Sequence, residues 1–287
     1  MRYCFFILFI AVFITACSPD YSGHTPEEQV EIAVSLAKER EYSKARSLLR
    51  EAAEGGSLCA QQLVAELYHP QRFTGPQDGW YFDLSQRWTP DDALAHEWSE
   101  KLVTSLRQEA EEGNALAMLW MYFGHVNFFT GSGLGSLEKD EDAANMWLQR
   151  AANAENATAL RFLAEKAFEE DNLSLADSLF QRAAHLGDGL AYSFWAGNYL
   201  DQRFGSRGPI RHFELAAQAL NEEAPGAYIW VKNELQKLRE EAHRSNPEAI
   251  RYLFIADSLG IPELLANTPE SNQAQQPYFP SICPMYR

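Results

Sequence analysis

One spacing recurs along the chain and limits what it can fold into: an alanine, a large apolar residue four positions later, and an alanine pair that starts at the seventh. It reads Ala45, Leu49 and Ala52-Ala53, then Ala144, Leu148 and Ala151-Ala152, then Ala176, Phe180 and Ala183-Ala184, with a degenerate copy at Phe213 and Ala216-Ala217. Intervals of three, four and seven residues fall on one face of an α-helix. Alanine on that face lets a neighbouring helix approach closely, and the large residue fills the groove that is left. The alanine pairs advance by 32 residues from Ala152 to Ala184 and by 33 from Ala184 to Ala217. Periods of that length belong to chains of helix-turn-helix units that bury a continuous core by stacking. The predicted fold is all-α, an α-solenoid of stacked antiparallel helix pairs.

After each pair comes a turn and a second helix, expected to begin at Ala60 after Gly56, Ala159 after Glu155 and Ala191 after Gly187, and Ala117 after Gly113 joins that set. Three residues further on stand Leu63, Trp120, Phe162 and Phe194, all expected to pack between helices. The fullest unit runs from Ala115 to Ala152: Ala117, Trp120 and Tyr122, the glycine-rich run Gly131 to Gly135, Asp142-Ala143-Ala144, Trp147 and Ala151-Ala152. This order of elements resembles the Sel-like branch of tetratricopeptide-type repeats. The resemblance covers residues 28–265, most strongly 110–220, and implies a superhelix that binds a protein or peptide. Proteins of similar repeat type serve as adaptors in envelope assembly, secretion or polysaccharide export. Two departures stand out: Glu155 occupies a position where the family has glycine, and Gly197-Asn198 sits in a shortened loop.

The step from Ala53 to Ala110 is 57 residues, which points to an inserted loop over residues 69–90. Gly75-Pro76 and Asp78-Gly79 supply its turns. The loop concentrates Phe73, Trp80, Tyr81, Phe82 and Trp88. Such aromatics either anchor a partner or stack on a sugar, or they plug onto neighbouring helices. Both roles stay open. A tail rich in Pro, Gln and Asn follows over residues 266–287.

At the other end, Arg2 precedes the apolar run Tyr3 to Ala16, and a polar Ser18-Pro19-Asp20 follows. A run of about fourteen residues is shorter than the roughly twenty that span a bilayer. The pattern is that of a signal peptide over residues 1–16. Ile14-Thr15-Ala16-Cys17 resembles the bacterial lipobox, which implies cleavage before Cys17 and lipid, palmitate included, on that residue. Soluble secretion through an ordinary signal peptide is the alternative. Ser18 after the cysteine, in place of aspartate, implies by the same resemblance an outer-membrane lipoprotein facing the periplasm. Residues 17–27 then form the lipidated N-terminus and a linker.

Twenty-four Lys and Arg against 40 Asp and Glu give a net charge of −16, which repels phosphate backbones and argues against nucleic-acid binding. An apolar content of 46% is too high for a disordered chain. With Cys4 removed and Cys17 acylated, Cys59 and Cys283 remain in an oxidising compartment and can pair, although Cys59 also suits an ordinary core position. The seven histidines are scattered without ligand spacing, and His212 with Glu214 reads as solvated helix surface. The run Gly131 to Ser136 lacks the lysine of a phosphate loop, Glu270-Ser271 is followed by too little chain for a lysozyme-like domain, and no nucleophile elbow is present. The sequence therefore predicts no cofactor, no metal, no enzyme activity, and an envelope protein or peptide as partner. A glycan or peptidoglycan module that uses the aromatic loop is the alternative.

Overall fold

The computed structural model describes residues 21, 23–70, 79–127, 134, 137–200, 207–224 and 226–267. Cys17, Phe73, Cys283 and the expected signal peptide lie outside the described residues, as does most of the glycine run and the tail from residue 268. Among the described residues the regular structure is helical: α1 (Pro26–Lys38), α2 (Tyr42–Glu54), α3 (Leu58–Tyr68), α4 (Trp80–Gln86), α5 (Asp92–Glu111), α6 (Ala115–His125), α7 (Glu141–Asn153), α8 (Ala157–Glu169), α9 (Leu173–His185), α10 (Ala191–Asn198), α11 (Gly208–Asn221), α12 (Ala227–His243), α13 (Pro247–Ser258) and α14 (Ile261–Asn267).

The alanine pairs lie at helix C-termini, where their carbonyls take part in a recurring turn. At the end of α2 the Gly56 amide donates to the Ala53 carbonyl at 3.2 Å and the Ser57 amide to the Ala52 carbonyl at 3.1 Å. The same two bonds run from Glu155 and Asn156 to Ala152 and Ala151, and from Gly187 and Asp188 to Ala184 and Ala183. The pattern requires one residue in the left-handed region, here Gly56 at φ 98°, Glu155 at 58° and Gly187 at 88°. The following residue caps the next helix: Ser57 accepts from the Ala60 amide, Asn114 from those of Leu116 and Ala117, and Asn156 from that of Ala159. These caps start α3, α6 and α8 two residues before the alanines expected to open them. Only α10 begins at the expected Ala191, because Asp188 instead binds the Leu190 amide at 2.9 Å.

Contacts divide the chain into two units inside α5, after Leu102. In the first unit α1 and α2 form a pair, and α3 packs on both. Thr25 and Glu28 close a capping box at the start of α1, with Pro26 at its first turn. Helix α3 is buried on every side from Cys59 to Tyr68, including the polar Gln61, Gln62 and Glu66. Within the region expected to be a loop, Trp80–Gln86 forms α4, which lies against α1. The Asp91 amide then returns to the Tyr68 carbonyl at 2.9 Å, so the excursion begins and ends at the same point.

In the second unit α6 pairs with α7, α8 with α9, α10 with α11 and α12 with α13. Each pair packs on the next, and α14 closes against α11. Leu148, Phe180 and Phe213, the large residues of the recurring spacing, are buried as that spacing requires. His212 is a correction. It was expected on a solvated surface beside Glu214, yet it is 1% exposed. Its Nδ1–H donates to the Ala196 carbonyl at 2.9 Å, and its Nε2 lies 3.0 Å from Glu234, which joins α10, α11 and α12. Edge-on packing against Phe213 and Trp230 makes the ring part of the core, while its neighbours Arg211 and Glu214 stay near solvent.

Candidate functional site

The aromatics of the expected loop divide between roles. Trp88 is 3% exposed and packs edge-on against Tyr68 with ring centroids 5.4 Å apart, so its role is packing. Trp80, Tyr81 and Phe82 are half-buried, and the Tyr81 hydroxyl donates to the Glu66 carboxylate at 3.4 Å. Cys59 is disulfide-bonded, and every other cysteine of the chain lies outside the described residues.

A second cluster emerges in the second unit, from the repeat position expected only to pack. Leu63 and Trp120 are buried there, but Phe162 on α8 and Phe194 on α10 are half-buried. Against both rings sits Arg161, 2% exposed, whose guanidinium carbon lies 4.7 Å from the Phe162 ring centre and 4.8 Å from that of Phe194. Its Nε donates to both oxygens of Asp188 at 3.2 and 3.1 Å, and its Nη1 to Glu165 at 2.9 Å. Nη2 is shut from water and has no acceptor among the described residues. Tyr122 of α6 extends the row, its ring 5.7 Å from that of Phe162.

Phe162, Glu165 and Glu169 follow at intervals of three and four, so they share one face of α8. Burial pushes the Glu165 carboxyl above its usual range, and the charges of Asp188 and Glu169 add to this against the opposing pull of Arg161. Burial also raises the Tyr122 hydroxyl, helped by Glu165 and Glu169. The cluster therefore holds one guanidinium against three carboxylates. Its Glu165 side chain is still 29% exposed. Chemically it is a shallow patch of rings with excess negative charge at its edge, suited to a cation carried on an apolar stem.

The first unit places a carboxylate and its donor at the equivalent positions, in closed form. Glu66 and Glu165 both follow the leading alanine of their helices, Ala60 and Ala159, by six residues. Gln62 donates to Glu66 at 2.8 Å, as Arg161 does to Glu165. There Tyr81 covers the carboxylate, leaving Glu66 8% exposed. Sequence reasoning missed the open copy because it read Phe162 and Phe194 as core. The available signal was Arg161, a charge next to a position that packing fills with apolar residues elsewhere. Among the described residues, no group of three or more His, Cys, Asp or Glu is placed to hold a metal ion.

Comparison with known proteins finds no matching family model and no similar curated protein. Solved structures similar to this chain include the following two. A Sel1 repeat protein from Oxalobacter formigenes is 16% identical over 86% of this chain and 92% of its own, with a TM-score of 0.37. A protective antigen present in uropathogenic Escherichia coli strains, displaying an SLR fold, is 16% identical over 89% of this chain and 58% of its own, with a TM-score of 0.41.

Proposed function

We propose that the chain is a non-catalytic scaffold that binds a protein or peptide partner, held at a bacterial outer membrane by lipid on Cys17 and facing the periplasm. The observation that carries the binding role is the open ring patch of Tyr122, Phe162 and Phe194, a site where the repeats leave part of their packing surface to solvent. Aromatic side chains are enriched at protein interfaces and among the residues that anchor them. The anchoring role rests on the apolar run Tyr3 to Ala16 and the lipobox-like Ile14 to Cys17. Among the described residues, no helix is long and apolar enough to cross a membrane.

The test is site-specific photo-crosslinking in the native envelope, with the crosslinker at Phe194 and, as a control, at the exposed Glu141 on α7. A discrete protein adduct from Phe194 alone is the expected result. Adducts of equal yield from both positions, or none from either in folded protein, would overturn the reading.

A further inference from the structure

We infer that the patch on α8 takes a basic, extended peptide segment of its partner, with a lysine or arginine side chain set between Glu165 and Glu169 and its aliphatic stem on Phe162 and Tyr122. This inference rests on the scaffold reading above and adds the chemistry of the occupant.

Three observations carry it. The first is charge: Arg161 is shared between Asp188 and Glu165, so Glu165 and Glu169 together exceed the cation available to them. The second is the Arg161 Nη2, whose host side chain is 2% exposed and which lacks an acceptor among the described residues. A peptide supplies both missing groups, a cation for the carboxylates and a main-chain carbonyl for Nη2, which binding must first uncover. The third is internal precedent. In the first unit the equivalent carboxylate, Glu66, already has a donor laid on it by an aromatic residue from another segment, Tyr81 of α4. In the second unit the matching carboxylate keeps 29% of its side chain open. The chain overall, at −16, favours encounter with a basic segment.

The test is fluorescence anisotropy on the full-length protein with two labelled peptides, one alternating lysine with leucine and the other alternating glutamate with leucine. Three proteins are compared: the wild type, Glu165→Gln and Glu169→Lys. Circular dichroism checks the fold of each, and Glu169, being exposed, tolerates the reversal. The lysine peptide is expected to bind the wild type in preference to the glutamate peptide. Either substitution is expected to weaken its binding by about tenfold, and added salt to weaken it further. Equal binding of the two peptides, or lysine-peptide binding unchanged by both substitutions, would overturn the inference while leaving the scaffold reading intact. Failure of the wild type to bind either peptide would also overturn it, and the crosslinking from Phe194 then decides separately whether a partner of other chemistry occupies the patch.

Discussion

Glu155 holds φ 58° at a turn where Gly56 and Gly187 serve elsewhere. A side chain in the left-handed region costs about 1 kcal/mol relative to glycine. Glu155→Gly is therefore expected to raise the unfolding free energy by about that amount, and Gly113→Ala, at φ 105° with open space around it, to lower it similarly, both read by urea denaturation. Glu165 carries the opposite kind of strain. Its folded carboxyl titrates above the ordinary 4.5, so the folded state holds the proton more tightly than the unfolded state. The resulting stability is present at low pH and is lost as pH rises from 4.5 through the folded value. At neutral pH, Glu165→Gln should then be at least as stable as the wild type, and the stability difference between them should shrink on acidification. A loss of stability at pH 7 would show the carboxylate to be structural. The cysteines were only half legible from sequence: with Cys4 removed and Cys17 acylated, Cys59 and Cys283 were left able to pair, but Cys59 read equally well as an ordinary core residue. We propose Cys59 with Cys283, and non-reducing peptide mapping should recover that one linked pair.

The helices were legible because alanine, large apolar residue and alanine pair repeat at helical spacing. Their exact starts were not, since Ser57, Asn114 and Asn156 are ordinary polar residues until they bind the amides ahead of them. Helix α4 was missed for a different reason. At seven residues it is too short for a period to show, and its cluster of aromatics reads equally well as a loop that binds something. What fixes the segment after it is Trp88, wedged against Tyr68 beneath the Arg46 guanidinium. Trp88→Ala should cost about 3–5 kcal/mol by opening a cavity there. Hydrogen exchange should show faster exchange in α4 and α3 than in α9. Uniform exchange across the three would show that Trp88 does not fix this segment. An element can also be tied by a single acceptor: Asp177 on α9 receives the indole N–H of Trp195 and the hydroxyl of Tyr199, both from the chain of the next pair.

At the scale of the whole molecule, the fold class could be read from the repeat alone, since a 32-residue interval between alanine pairs leaves few architectures open. The candidate patch could not. Whether Phe162 is sealed or half-open depends on the residue beside it and on what lies opposite, neither of which periodicity encodes. In the reading proposed above, where the molecule resides depends on Cys17. Cys17→Ala should move the protein from the membrane to the soluble fraction after cell breakage, with loss of labelled palmitate, and an unchanged partition would overturn the lipid anchor. The turn after the alanine pairs has one more implication. Because the same two backbone bonds join successive helices whether the left-handed residue is Gly56, Glu155 or Gly187, each junction works as an interchangeable coupling. A gene coding for such a chain can gain or lose whole helix pairs by duplication or deletion without inventing a new joint. That freedom lets one copy of a motif, Glu66 beneath Tyr81, stay closed while another, Glu165, keeps part of its side chain open.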